Sequence, residues 1–260
     1  MPLASLNWEL LRRTELYGLR RASRYIVAEL TVPHAVLSTS THNGGQTTKI
    51  RYLANHQSCE GAAHKVRYEQ IRDDYHASVC AEIELPPNET ALMGTAANMN
   101  YAAIATAADL EIEVTAIVTA GVQGNACCAG DPASWREGDK GWEKIHGTIN
   151  TILLINRPLT EGALARAVIT MTEGKSTALQ RLAVRSLYSQ DLATGTGTDQ
   201  FAIAAPLEGS HRFTSTSPHS KLGELIGRTV RDATLEALRW QNGLEPSYTR
   251  GIFTALTRYG

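Results

Sequence analysis

The feature that most limits what this chain can fold into is Gly147–Asn156, GTINTILLIN, together with the helix-forming segment directly after it. An apolar, β-branched run bounded by Gly147 and Asn156 reads as a buried strand with polar entry residues Thr148 and Asn150. Pro158–Thr160 then opens a helix. Its body, Glu161–Met171, sets Leu164, Ala167, Val168 and Met171 on one stripe at three- and four-residue steps. A strand feeding directly into an amphipathic helix is the sequence form of mixed α+β architecture. The expectation is a single layered domain over residues 1–260, its β-sheet packed by helices near 92–110, 160–183 and 218–241.

Other segments fill in that frame. Glu111–Gly121, EIEVTAIVTAG, alternates and is β-branched, hence a strand; Tyr25–Val32, Ala35–Ser40 and Phe201–Ala205 read likewise. Leu92–Leu110 is rich in Ala and Met and reads as a small-residue helix interrupted by Asn98 and Asn100. The N-terminal stretch, with Glu and Arg scattered among apolar residues, reads as an amphipathic element rather than a signal peptide. In the last helix Ser217 is the expected cap, Pro218 the first position and Asn242–Gly243 the stop.

Charge and composition exclude some function classes. Lys and Arg number 25 against 26 Asp and Glu, a formal net charge of -1, so no basic footprint argues for nucleic acid. No apolar run is long enough to span a membrane. The cysteines, Cys59, Cys80, Cys127 and Cys128, lack zinc-ligand spacing, and the histidines form no HxH or HExxH pattern, so no metal is assigned. Reduced thiols and a cytoplasmic location are expected. Cys127–Cys128 could present a nucleophilic thiol, but no basic residue close in sequence would activate it, and a buried free cysteine is the plainer reading.

Polar clusters mark the candidate site. Ala193–Asp199, ATGTGTD, offers hydroxyls at Thr194, Thr196 and Thr198 and an acceptor-only carboxylate at Asp199. Gly195 and Gly197 would allow positive φ and close approach to a ligand; the alternative is an ordinary turn. Ser38–Gln46, with Ser40, His42 and Asn43, reads as a glycine-rich loop at the site or as a polar hairpin tip. Glu173 and Lys175 could form an acid–base set, although two residues apart on a helix they would not face each other. His219 lies in the expected first turn of the last helix, where the positive end of the dipole favours the neutral, base-competent imidazole.

Several blocks in order carry a family resemblance: NMNYAAIATAADLEIEVTAIVTAGVQGNA, GTINTILLINRPLTEGALARAVITMTEGKSTAL, ATGTGTDQFAIAAP and SPHSKLGELIGRTV. They resemble the CbiZ-type adenosylcobinamide amidohydrolases, from about Ser38 onward and most densely over residues 94–240. The resemblance implies hydrolysis of the amide joining aminopropanol to the f side chain of adenosylcobinamide. The product is adenosylcobyric acid, recovered for cobalamin synthesis in corrinoid salvage. It implies a small-molecule corrinoid as partner, cobalt only as part of that substrate, and no other cofactor; a homo-oligomer is compatible with it, and the length of the chain leads us to expect the free-standing form rather than one fused to another corrinoid-handling domain.

The matching chemistry is a neutral pocket with a base and donors to an oxyanion. The expected catalytic set is His219, Glu173, Lys175 and Asp199. Ser40, His42, Asn43, Asn98, Asn100, Asn125, Thr148, Asn150, Thr196 and Thr198 are the expected substrate-binding side chains. Attack by a hydroxyl such as Ser40 or Thr198 stays open beside attack by water. A weaker likeness, of GTINTILLIN and TEGKSTA to the self-cleaving threonine of ornithine acetyltransferases and related aminopeptidases, implies Thr148 as nucleophile, unmasked by cleavage after Gly147. The competing class is a corrinoid-binding or delivery protein without hydrolase activity.

Overall fold

The computed structural model describes residues 6–58, 75–133 and 148–245. Readings placed on Cys59 and Gly147 lie outside those residues.

Two sheets face each other. The first runs β1 (Glu9–Arg13), β2 (Tyr17–Ala22), β3 (Tyr25–Leu30), β6 (Tyr52–Gln57) and β7 (Thr90–Thr95) in that spatial order. The second runs β5 (Gly45–Thr47), β4 (His34–Ser38), β13 (Gln200–Pro206), β11 (Ile149–Ile155), β9 (Ile112–Ala120) and β8 (Ala103–Asp109). A short pair, β10 (Ala126–Cys127) and β12 (Gly195–Thr196), sits apart. Helix α1 (Tyr75–Glu82) covers the outer face of the first sheet, and α2 (Glu161–Arg181) and α3 (Lys221–Asn242) cover the outer face of the second. The fold is α+β in four layers.

Strand parity explains the layering. Along β11, Ile152 and Leu154 point between the sheets with Ile117, Ala202, Ala204 and Met93. Ile149, Leu153 and Ile155 point at Leu164, Met171, Leu225 and Ile226 of the helices. Both faces of β11 are covered, so it carries a continuous apolar run rather than alternation. It pairs in parallel with β13 and antiparallel with β9, in the register Asn150↔Gln200 and Asn150↔Thr119. The parallel pairing needs a crossover, and α2 supplies it.

Helix ends follow local chemistry. The Thr160 hydroxyl accepts from Ala163 N–H at 3.3 Å and the Ser220 hydroxyl from Gly223 N–H at 3.1 Å, each capping its helix. Gly243, at φ 65°, closes α3 in the left-handed region. The cap is therefore Ser220 and not Ser217, because Ser217–Ser220 forms a turn of its own, with Ser220 N–H donating to Ser217 O at 2.8 Å.

One expected element is overturned. Leu92–Leu110 is no helix: it is β7, a 3-10 turn at Met99–Tyr101, and β8. β7 is buried along nearly its whole length and β8 is an edge strand with one face buried and one exposed, and sheet pairing of β7 with β6 and β8 with β9 overrides the helical propensity of their small residues. The N-terminal stretch is the β1–β2 hairpin, where charged residues sit on an edge strand with every residue at least partly exposed.

Helices α2 and α3 cross where two glycines meet. A Cβ on Gly174 would lie 2.7 Å from the carbonyl oxygen of Gly227. Ala would ordinarily stabilise a helix interior by about 1 kcal/mol over Gly. Here Gly174→Ala must push the helices apart, so its melting temperature is expected to fall; a rise would contradict this crossing.

Candidate active site

The polar residues that matter collect at one edge of the two sheets, where β11 and β13 begin and where β6, β7 and β9 end. Asp199, immediately before β13, is the hub. Its Oδ1 accepts from Ile149 N–H at 3.0 Å and from the Thr196 hydroxyl; its Oδ2 accepts from Thr196 N–H at 3.1 Å and from the Lys175 ammonium. Lys175 and Asp199 are largely withdrawn from water, with side chains 14% and 18% exposed. A carboxylate has about four lone-pair sites, and here four donors occupy them. Asp199 is thus an anchor, with no site left to take a proton from a substrate.

Gly195 makes the ion pair sterically feasible. A Cβ there would collide with the Asp199 carboxylate and lie 2.6 Å from Lys175 Nζ. The need for glycine is close approach rather than backbone freedom, since neither Gly195 nor Gly197 has positive φ.

Parity divides the site into two faces. On the helix side, Lys175, Asp199, Ile149, Thr151, Met171 and Phe201 line an open cleft of about 200 Å³, reached also by Thr39, Thr172 and Gln200. Between the sheets, side chains of opposite parity form a directional chain. The Thr148 hydroxyl donates to Thr198 O at 2.5 Å and to Asn150 Oδ1 at 3.2 Å. Asn150 Nδ2 donates to Asn55 Oδ1 and to Gly94 O, both at 3.0 Å, and Asn55 Nδ2 donates to Thr119 Oγ1 at 2.8 Å. Thr148, Asn150, Asn55 and Thr119 are all buried, so their polar atoms depend on one another for hydrogen bonding. Asn125 closes this region: its side chain reaches Thr198 Oγ1 at 3.4 Å, and its backbone carbonyl accepts from Gly197 N–H.

The structure therefore brings together Lys175, Asp199, Thr148, Asn150, Asn125, Thr196 and Thr198. It does not bring in the other candidates. His219 is exposed in the turn ahead of the Ser220 cap, and Glu173 is exposed on α2; neither lines the cleft. Ser40 is buried and staples its loop to β7, donating to His42 O and Leu92 O and accepting from Leu92 N–H. His42 packs on the His76 ring, with centroids 4.6 Å apart. Asn43, at φ 57°, donates to Pro87 O and Thr90 O. Asn98 caps the 3-10 turn by accepting from Asn100 N–H at 2.9 Å, and Asn100 is exposed. These five serve loop and turn geometry.

Cys127 lies near the ion pair, but burial and the Asp199 and Asp131 carboxylates push its thiol up, against the opposing pull of Lys175. It stays protonated and is a poor nucleophile. No group of three His, Cys, Asp or Glu arranged to hold a metal occurs among the described residues.

The residues that sequence reasoning passed over are Asn55, Thr119, Gln200 and Gly94. Their signal is a polar side chain, or a glycine, at an inward position near a strand end, legible only once strand parity and pairing are known.

Comparison with known proteins gives a family, a relative in sequence and similar solved structures. The model of the CbiZ family, described as adenosylcobinamide amidohydrolase, matches residues 8–246. The uncharacterized protein MJ1613 of Methanocaldococcus jannaschii is 34% identical over 243 residues, covering 89% of this chain and 92% of that protein. Among solved structures, the PH0078 protein of Pyrococcus horikoshii is similar at 15% identity, with a TM-score of 0.40, covering 92% of this chain and 86% of that one. The L-aminopeptidase D-Ala-esterase/amidase of Ochrobactrum anthropi is similar at 13% identity and a TM-score of 0.39, covering 98% and 90%.

Gly195→Ala tests the packing at the hub. Overpacking of this kind typically costs about 1–3 kcal/mol, so a lowered melting temperature with loss of activity is expected. A variant equal to the wild type in both would contradict the described geometry. From residue 8 to residue 246, the chain belongs to the adenosylcobinamide amidohydrolase family, whose members act as hydrolases on amide bonds.

Proposed function

We propose that the protein hydrolyses the aminopropanol amide of adenosylcobinamide, releasing adenosylcobyric acid and the amino alcohol, as a step of corrinoid salvage in the cytoplasm. The observation that carries the reading is the Lys175–Asp199 pair at the cleft of a chain in this family. A cleft of about 200 Å³ is below the usual size of pockets that enclose a whole ligand. The corrin therefore stays outside, and only the amide-bearing arm enters. The polar groups around the arm are threonine hydroxyls, the Gln200 carboxamide and one compensated ion pair, set among Ile149, Met171 and Phe201, a match for a substrate fringed with neutral amides.

The chemistry divides among three residues. Lys175 gives one N–H to Asp199, and its remaining protons can meet the negative charge that develops on the amide oxygen. Asp199 holds Lys175 and the backbone at Ile149 and Thr196 in place. Thr148, next to the cleft-lining Ile149 but with its hydroxyl turned to the face between the sheets, supplies the attacking oxygen from the end of β11 that the two faces share. Both groups it contacts, Thr198 O and Asn150 Oδ1, are pure acceptors, so the hydroxyl must be the donor and its lone pairs are left for an electrophile. Attack forms an ester to Thr148 and breaks the C–N bond; the proton shed by the hydroxyl ends on the departing amine. Water then hydrolyses the ester, giving the carboxylic acid and restoring Thr148. His219 and Glu173, being away from the cleft, have no part in this scheme.

Purified, EDTA-treated protein incubated with adenosylcobinamide should yield adenosylcobyric acid, read by mass spectrometry. Thr148→Ala should lower turnover by roughly 10³-fold or more, while Thr148→Ser keeps a measurable rate. Full turnover by Thr148→Ala would mean that water attacks directly. Tight corrinoid binding without product in the wild type would favour the binding-protein alternative instead.

A further inference from the structure

Gly94, on β7, uses both of its backbone polar groups on side-chain amides that belong to the other sheet. Its carbonyl accepts from Asn150 Nδ2 at 3.0 Å, and its N–H donates to Gln200 Oε1 at 3.1 Å. A carboxamide has one acceptor end and one donor end, and which is which depends on its partners. An N–H donor can only meet oxygen, so Gly94 fixes the flip of Gln200. Its Oε1 is turned into the space between the sheets, and its Nε2 is the end left over. Nε2 makes no hydrogen bond among the described residues, and Gln200 lines the cleft beside Lys175 and Asp199. Both chain neighbours are already committed: Asp199 to four donors, and Phe201 by donating its N–H to the Thr39 hydroxyl and accepting at its carbonyl from Thr39 N–H.

We propose that Gln200 is a second substrate-contacting donor, its Nε2–H₂ binding the carbonyl oxygen of the scissile amide, with Gly94 as the positioning residue that sets its orientation. This rests on the amidohydrolase reading of the same cleft. An amide oxygen gains charge as its carbon is attacked, and a donor fixed beforehand in a site shielded from water stabilises that charge without reorganising. Lys175 supplies the charged donor. A neutral carboxamide, supplied by Gln200, directs the oxygen without adding a second cation that would compete for Asp199. The pairing Asn150↔Gln200 across β11 and β13 places the two Gly94-bound amides side by side. One backbone unit thus sets both: it turns the acceptor end of Asn150 toward Thr148 and leaves the donor end of Gln200, a residue that also lines the cleft, for a ligand.

The test compares wild type, Gln200→Glu and Gln200→Met on adenosylcobinamide between about pH 5 and 8, with melting temperatures measured alongside. Glutamate keeps an oxygen for Gly94 N–H and keeps the shape, but as a carboxylate it presents only an acceptor to the cleft. Near neutral pH its kcat should fall on the order of 10²-fold, with KM within about twofold. Acidification should restore part of that rate, because a protonated carboxyl can donate. The charged groups facing it are Lys175 and Asp199, and Gln200→Met separates their influence: it should lose a similar factor with no recovery at low pH. Wild-type kcat in either variant overturns the proposal. So does a loss in Gln200→Glu that is the same at every pH and tracks a lowered melting temperature, which is the mark of a structural role. If the wild type itself forms no product, the amidohydrolase reading falls, and this assignment with it; if only the variants depart from expectation, the reading stands and the Gln200 assignment alone is lost.

Discussion

The interaction on which the site depends is the set of four donors converging on the Asp199 carboxylate. Lys175 arrives from α2, Ile149 N–H from the start of β11, and two groups of Thr196 from the short strand β12. One anion therefore joins a helix, a central strand and a glycine-bearing loop beside the cleft. A largely buried carboxylate is tolerable only when its lone pairs are fully used. Here they are, at the expense of any role for Asp199 as a base.

Around that anchor, the two-residue period of the strands sorts the chemistry by face. Odd positions near the starts of β11 and β13, such as Ile149, Thr151 and Phe201, look toward α2 and form the cleft wall. Even positions, Asn150 and Gln200, look between the sheets and meet β6 and β7. The charged pair and the amide network thus occupy opposite sides of the same strands while sharing one edge. A one-residue slip in β11 would exchange the two sets and place carboxamides among Leu and Ile side chains.

Much of this arrangement was legible in the sequence, and the reasons differ from element to element. GTINTILLIN and the capped amphipathic helix after it marked β11 and α2 nearly to the residue, since a doubly covered strand and a core-facing helix each have strong patterns. Leu92–Leu110 misled because alanine occupies both the buried and the exposed face of β8, so the alternation of that strand does not show in its residue types and the segment looks helical. Lys175, Asp199, Thr148, Asn150, Thr196 and Thr198 could be named, because hydroxyls, amides and charges at strand ends stand out against apolar runs. His219 and Glu173 could not be dismissed by spacing alone; their distance from the cleft depends on the path of the chain between Ser217 and the Ser220 cap and on which face of α2 is buried. Lys175 meets Asp199, 24 residues away, and Gln200 meets Gly94, 106 residues away. Contacts of that separation come from sheet pairing, which no local pattern records.

The most direct measurement of the account is made on Asp199→Asn, which keeps the shape of the hub and removes its charge. Product formation from adenosylcobinamide would be tracked by mass spectrometry, and corrinoid binding by the change in its visible spectrum. The account predicts retained binding with product formation reduced on the order of 10²-fold or more, because Lys175 loses its anionic partner and its fixed position. Turnover equal to that of the wild type would contradict it, and the chemistry would have to be carried by groups other than the Lys175–Asp199 pair.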